Sequence, residues 1–552
     1  MGEFCMYAEL QGLTIFEQAE KLTAELIKRD SYTNTDGERK KAEFIKEIIG
    51  TFPYFKTRPS FCWEQKIEAD PFSRKNVFAF IKGKGKQTIL YHAHFDTVGI
   101  EDYGTLKPIA HDPDGLQAFF AQYEADMELC SDARSGEWLF GRGALDMQSG
   151  IAVHLANLLY FSEHPEELDG NLLVLFNADE EGQHTGIRAA LGELLRLKAE
   201  HGLQYRASIN NDFISPLFDG DSRKYIYAGT AGKLLPCFYI AGREAHAGES
   251  LAGLDPTIVA SELNLRISQN FNLAEKVEDE LILPPSCLYM KDDKKSYDVQ
   301  TAVSCKLYFN YFIYNKSPVE LMKELKMIAM EACTDAERRL SESYELYRRT
   351  NSLPRGGHDW GMEVITFSEM VHYLDGLGLD PVKAVRDSIK EAGEYENDER
   401  MLAFAAVEAL HRLDPEKKPR AILFFAPPFL PANHIEGGII LSCLEEVLRE
   451  EEMLTGEEFK LRKYFPYLSD ASFLSYSGSD NEIGLLKQNF PAMDKLFPVP
   501  LGEMKTLNIP SLNIGVYGKG GHKWTERVYK PYTFGILPDL IRKLTVRLLQ
   551  SG

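Results

Sequence analysis

Apolar and polar positions along the chain alternate between two rhythms. Residues 13–29 and 38–50 carry apolar side chains at helical spacing, and two helices are predicted there. NVFAFIKG and TILYHAHF flank the turn-rich GKGKQ and predict a β-hairpin. A helix near 147–162, an apolar strand at 171–178, a helix near 186–200 and a strand at 206–212 follow. Strands alternating with helices predict an α/β domain with a mostly parallel sheet covered on both faces. In such a sheet the site lies beyond the carboxyl ends of the strands.

The rhythm changes near residue 225. A strand-like run leads to a helix opening at Asp255-Pro256, and the strand pattern 302–314 precedes a capping box at Ser317-Pro318-Val319-Glu320. A helical stretch (380–412) and the strand 421–427 extend this part, which reads as an inserted α+β domain. The expected organisation is therefore 1–224 and 435–552 as one catalytic domain, with 225–434 inserted as a lid. At 552 residues, two domains are the natural expectation.

Composition narrows the function. The apolar fraction of 44% suits a globular chain, and the net charge of −21 argues against nucleic acid or an anionic membrane as the main partner. The eight cysteines are scattered without a CxxC pair, which fits reduced thiols in a cytoplasmic protein. The opening MGEFCMYAELQGLT lacks the basic start and apolar core of a secretory signal, and no apolar run approaches a membrane span.

Polar residues that interrupt this pattern at strand ends carry the chemistry. In YHAHFDTVG (91–99), His94 and Asp96 lie two apart and face one side of a strand, whereas His92 sits deeper as a core histidine. Asp146 stands in GRGALDMQSG between a glycine-rich turn and a helix. Asp179-Glu180-Glu181 ends an apolar strand, and three acids together are costly unless something neutralises them. Adjacent Glu180 and Glu181 must point in different directions, so one can bind a metal while the other handles a water proton. His522 lies in a glycine loop with Glu526 four residues on. Imidazole and carboxylates without thiolates suit a borderline divalent ion: zinc, manganese or cobalt.

HAHFD, GRGALDMQSG, NADEEG, the Asp of INND, REAHAG and GGHKWTERV occur in this order. Together they resemble the dinuclear zinc metallopeptidase family of glutamate carboxypeptidase, aminoacylase and succinyl-diaminopimelate desuccinylase. KLLPCFYI, YFNYF and LFFAPP further resemble its bacterial arginine-utilisation branch. The resemblance implies two divalent ions, zinc first, with Asp146 as the bridge. It gives His94 and Asp212 to one ion and Glu181 and His522 to the other. Glu180 becomes the general base, Asp96 the orienter of His94, and His246 the donor to the developing oxyanion. The bridging Asp is expected to precede a cis peptide, here Asp146–Met147. The family often has an Asn-x-x-Pro run where this chain has Asp298-Val299-Gln300-Thr301, and a carboxylate-binding Arg where it has Tyr311; other arginines, Arg355 among them, are candidates to take that role.

The implied activity is metal-dependent hydrolysis of an amide bond in a small peptide or N-acylated amino acid, by a monomer or a homodimer formed through the inserted domain. The alternatives are a deacylase of arginine or ornithine catabolism and a catalytically silent metabolite-binding relative. The silent relative predicts loss of Glu180 or a ligand, and all are present.

Overall fold

A computed structural model describes residues 5–354, 359–435 and 437–551. The chain divides into two compact units. The first comprises Met1–Thr230, Asn433–Tyr476 and Gly502–Gly552; the second comprises Ala231–Ala432 and Ser477–Leu501. The return of Ser477–Leu501 to the second unit lies inside the stretch 435–552 that the sequence assigned wholly to the catalytic domain.

The first unit is built on an eight-stranded sheet. Its strands are β1 (Cys62–Lys66), β2 (Lys75–Ile81), β3 (Gln87–His94), β4 (Asn171–Asn177), β5 (Gln204–Asn210), β6 (Lys224–Tyr227), β7 (Phe459–Arg462) and β8 (Ser511–Ile514). Their order is β1-β2-β4-β3-β5-β8-β6-β7. The centre, β4-β3-β5-β8, is parallel, and antiparallel pairings flank it. Helices α1 (Ile15–Ile27), α2 (Asp36–Gly50), α3 (Ser149–Glu163), α4 (Thr185–His201) and α5 (Leu537–Gln550) belong to the same unit.

Both faces of the central strands are buried, which explains their continuous apolar runs. On one face Ile89, Tyr91 and Ala93 share a core with Val153, Leu544 and Leu548. There the Tyr91 ring stacks on His154 of α3 at 4.5 Å and its hydroxyl lies 2.7 Å from Thr545 Oγ1 of α5. Toward the other face Phe80 stacks on His201 at the end of α4.

One sequence expectation is corrected. β2 and β3 do not form a hairpin, because β4 lies between them, antiparallel to β2 and parallel to β3. Adjacent strands sit about 4.8 Å apart, so stepping over one strand needs about 10 Å. Five extended residues reach roughly 17 Å, and residues 82–86 are therefore long enough. Glycine lets them pass close to the start of β4. A Cβ on Gly83 would lie 1.8 Å from the Gly170 carbonyl oxygen, and one on Gly170 would lie 2.2 Å from that of Gln87. Asn171 fastens the crossing: its Oδ1 accepts from Gly83 N and its Nδ2 donates to the Gly85 carbonyl.

The second unit carries a five-stranded sheet in the order Ser286–Asp292, Ser304–Ile313, Gly232–Ala241, Arg420–Leu430, Glu363–Thr366. The expected helix starts are present: Asp255 caps Pro256–Ile267, and Ser317 with Glu320 forms the capping box of Pro318–Thr350. The stretch 380–412 is two helices, Pro381–Ala392 and Glu399–Leu413.

The crossing yields a stability prediction. Gly170→Ala is expected to destabilise the protein by about 1–3 kcal/mol, because the new methyl group meets backbone that cannot yield. Gly50→Ala, at the end of α2 with open space around it, should be neutral or slightly stabilising. Urea midpoints of both variants against the parent protein check the pair.

Candidate metal centre

The ends of three neighbouring parallel strands and two loops supply the site. His94 closes β3, Asp179-Glu180-Glu181 follows β4 and Asp212 follows β5. Asp146 stands in the turn before α3, and His522 lies in the loop after β8. The Asp146–Met147 peptide is cis, as the resemblance implies.

These side chains converge around Asp146. Its Oδ1 lies 3.0 Å from His94 Nε2, and its Oδ2 lies 2.8 Å from His522 Nε2. The same His522 nitrogen lies 2.7 Å from Glu181 Oε1. Ligand atoms of His94, Asp146 and Asp212 fall within 4.8 Å of one another, and so do those of Asp146, Glu181 and His522. Asp146 is the member common to both groups, with one oxygen turned toward each histidine.

The electrostatics call for cations. Burial raises the Asp146 carboxyl, but hydrogen bonds from His522 and His94 outweigh it and hold the group far below its usual range. Those to Asp146 and Glu181 push the His522 ring up to about 11. Burial alone would lower His94, yet Asp146 and Asp96 hold it well above its usual value. Two imidazoles do not neutralise the remaining carboxyls. Burial and the neighbouring Asp146 push Asp212 up to about 8. Glu180 rises well above its usual value through burial and the charges of Asp470, Glu181 and Asp212, against the pull of His94. Glu181 is raised by burial and Asp146. Imidazole nitrogens and carboxylate oxygens gathered this closely fit divalent ions of borderline softness.

Of the three consecutive acids, only two face this cluster. Asp179 takes a left-handed backbone, φ 65°, and turns its Oδ1 to within 2.6 Å of Arg74 Nη1. Arg74 also grips Asp70 and lies 3.5 Å from Glu38. Asp96 touches both His94 and the acidic triplet. Its two oxygens accept the backbone N–H groups of Glu180 (3.0 Å) and Glu181 (3.1 Å). His94 Nδ1 approaches the Asp96 carbonyl at 3.1 Å and its Oδ1 at 3.5 Å. His92 is the core histidine the sequence suggested, with Nε2 2.8 Å from Asn177 Oδ1.

A buried ion pair missed by sequence reasoning anchors Asp146. Glu526 Oε1 accepts from the backbone of Leu145 (3.0 Å) and Asp146 (3.1 Å), and its Oε2 accepts from Arg142 Nη1 at 2.7 Å. Arg142 reaches on to Asp102 and, at 3.5 Å, to the His522 carbonyl. One pair thus ties the backbone of Asp146 to the His522 loop. The signal was opposite charges inside two ligand motifs, each four residues from a ligand.

His246 lies in the second unit, where its Nδ1 accepts from Gly248 N and caps a short turn, Ala247–Ala252. Its backbone bridges to Gln300, within the stretch that replaces Asn-x-x-Pro. Tyr311 is buried and its hydroxyl donates to the Leu273 carbonyl at 2.6 Å, so it offers no cation for a carboxylate. Arg355 lies outside the described residues.

Residues 90–216, which hold four of the ligands and Glu180, match the model of peptidase family M20/M25/M40. The chain is 51% identical to Protein RocB of Bacillus subtilis (strain 168), over 99% of this chain and 97% of that protein. The fold is similar to a tripeptidase of Staphylococcus aureus (TM-score 0.51, 13% identity, 97% of this chain and 99% of that one). It is also similar to an M20 family metallo-carboxypeptidase of Sulfolobus solfataricus (TM-score 0.51, 12% identity, 96% and 99%). A near full-length relative at that identity, a family match across the ligand-bearing strands and the shared fold lead to one assignment: the chain belongs to peptidase family M20/M25/M40 and is a hydrolase acting on C–N bonds.

Proposed function

We propose that this protein is a two-metal amidohydrolase that cleaves an amide bond of a small peptide or an N-acylated amino acid. The observation that carries the proposal is Asp146: one buried carboxylate shared by two ligand groups, with an imidazole on each oxygen. In this reading His94 and Asp212 would hold one ion and Glu181 and His522 the other, with Asp146 the carboxylate common to both groups. Zinc is the first choice of ion, with manganese or cobalt as alternatives. When bound, such ions supply Lewis acidity that acidifies water and polarises an amide carbonyl.

The chain's own residues do the rest. Glu180, beside the ligands but outside both groups, takes a proton from water and returns it to the leaving nitrogen. Asp96 holds Glu180 and Glu181 by their backbone N–H groups, so each side chain starts from a fixed point. The Arg142–Glu526 pair keeps Asp146 in register with the His522 loop. His246, from this chain's inserted domain or a partner copy's, donates to the developing oxyanion. We further propose a cytoplasmic enzyme, monomeric or dimeric through that domain; among the described residues no helix is long and apolar enough to cross a membrane.

A second reading keeps the chemistry and makes the protein a deacylase of arginine or ornithine catabolism, acting on N-acyl arginine or N-acyl ornithine, on the resemblance of KLLPCFYI, YFNYF and LFFAPP to the arginine-utilisation branch. A screen of dipeptides and N-acyl amino acids, these two included, against zinc-, manganese- and cobalt-loaded protein separates the two.

Metal analysis of reconstituted protein is expected to give two divalent ions per chain, and chelation should lower Tm because the ions bind only the folded form. At most one ion per chain would refute the two-metal reading. Glu180→Gln should abolish turnover with metal content near that of the parent, whereas Glu181→Gln should weaken metal binding; the reverse pattern would reverse the two roles. His246→Ala should lower kcat by roughly a hundredfold or more with a smaller change in KM, as expected of a contact made in the transition state. Steady-state kinetics on the best substrate of the screen provide the check, and a near-normal kcat would remove His246 from the mechanism.

A further inference from the structure

Behind Glu180 lies a buried polar chain that the reaction as described does not use. His184, three residues past the acidic triplet, takes a left-handed backbone at φ 57° and is 3% exposed. Its Nδ1 lies 2.7 Å from Asp470 Oδ1. The other Asp470 oxygen accepts from Asn177 Nδ2, and Asn177 Oδ1 meets His92 Nε2. Asp470 opens the short turn Asp470–Leu474, whose cap Ser469 accepts from Asn210 at the end of β5, and the Phe473 ring lies against His184 at 5.3 Å. One ring nitrogen of His184, one oxygen of Asp470 and one of Glu180 fall within 4.8 Å of one another.

The hydrogen bonds decide what this group does. Both Asp470 oxygens are taken by N–H donors, and His184 Nδ1 is spent on one of them. The cluster is therefore satisfied internally and resembles an orienting carboxylate–imidazole pair more than a third cation site. Asp470 stays ionised, since the His184 hydrogen bond outweighs the effect of burial and holds its carboxyl below the usual range. That bond occupies Nδ1, so Nε2 is the nitrogen His184 would offer to Glu180.

Glu180 needs such a partner. A flexible carboxylate beside two cations is drawn onto them as a ligand, and a ligand is no longer a base. Asp470, Glu181 and Asp212 all repel it, so a hydrogen-bond donor is what could hold it in place. A misplacement of about 1 Å can cost roughly a hundredfold in rate. We propose that the Asp470–His184 pair is the positioning element of Glu180: Asp470 fixes the imidazole, and the imidazole holds the Glu180 carboxylate back from the metals, aimed at the water and the leaving nitrogen. The proposal rests on Glu180 being the general base.

The test uses the metal-loaded full chain and the best substrate of the screen, with kcat expressed per folded, two-metal molecule. Asp470→Asn is expected to lower kcat roughly 10- to 100-fold, with KM within about twofold and two ions still bound. In a Glu180→Asp background, whose shorter carboxylate does not reach His184, adding Asp470→Asn should change kcat by no more than about twofold. A purely structural role would leave kcat per folded molecule unchanged, or would lower it equally in both backgrounds, and either result overturns the inference. Should Asp470→Asn fail to fold, His184 carries the test: His184→Gln, which keeps a polar group at the far end, should lose less kcat than His184→Leu, and equal losses overturn the proposal. Activity in Glu180→Gln would overturn the general-base reading itself; an inactive Glu180→Gln beside a fully active Asp470→Asn would overturn only the positioning role.

Discussion

Repulsion between carboxylates is the constraint on which the rest of this structure depends. Asp96, Asp146, Asp179, Glu180, Glu181 and Asp212 crowd the ends of three adjacent strands. Two carboxylates about 4 Å apart repel by roughly 4 kcal/mol at an effective dielectric constant of 20, so each must be answered by a specific device. Asp179 is answered by Arg74, Asp96 by two backbone N–H groups, and Asp146 by two histidines. Asp212, Glu180 and Glu181 keep raised carboxyls after all these devices are counted. The unanswered charge falls beside the imidazoles, where divalent cations fit.

The sheet makes that crowding possible. Parallel strands end on one side, and β4, β3 and β5 are neighbours, so residues far apart in sequence are delivered within a few ångströms. The loop between β2 and β3 is part of this. Had those strands formed a hairpin, β2 would take the edge of β3 that β4 occupies, and β4 and β5 could not both flank β3 as they do. The glycines at 83 and 170 are thus linked to the site although they lie at the opposite end of the strands.

What the sequence made legible followed from local pattern. Helix starts announced by Asp255-Pro256 and by the Ser317 capping box are present, and the metal-type residues stand where strand periodicity ends. Pairing between distant segments was not legible. A short turn between two apolar runs looks the same whether it closes a hairpin or steps over a third strand. The Arg142–Glu526 pair spans 384 residues, and Asp470 lies 286 from His184, so no periodicity links them. The resemblance made Asp96 the orienter of His94; its hold on the backbone of Glu180 and Glu181 depends on how β3 and β4 align.

The same long-range pairing explains how a chain interrupted twice still completes one site. The first excursion leaves after Gly229–Thr230 and returns at Asn433–His434, and these two short strands pair with each other. Asn433 then donates to the carbonyls of Ala471 and Ile509. The second excursion leaves after Tyr476 and returns at Gly502, and near its ends Ile509 N bonds the Leu474 carbonyl. Seen from the first unit, each excursion is a loop whose ends are already joined. Closing a loop grows costlier by only about 0.6 kcal/mol for each doubling of its length, so a long insertion weighs little more than a short one. Asp470 lies between the two excursions and His522 after both. Asp470 is set by the polar chain through Asn177 and His184, and the His522 loop by the Arg142–Glu526 pair. The bonds that hold Asp470 and the His522 loop in place, made by Asn177, His184, Arg142 and Glu526, join residues of the first unit.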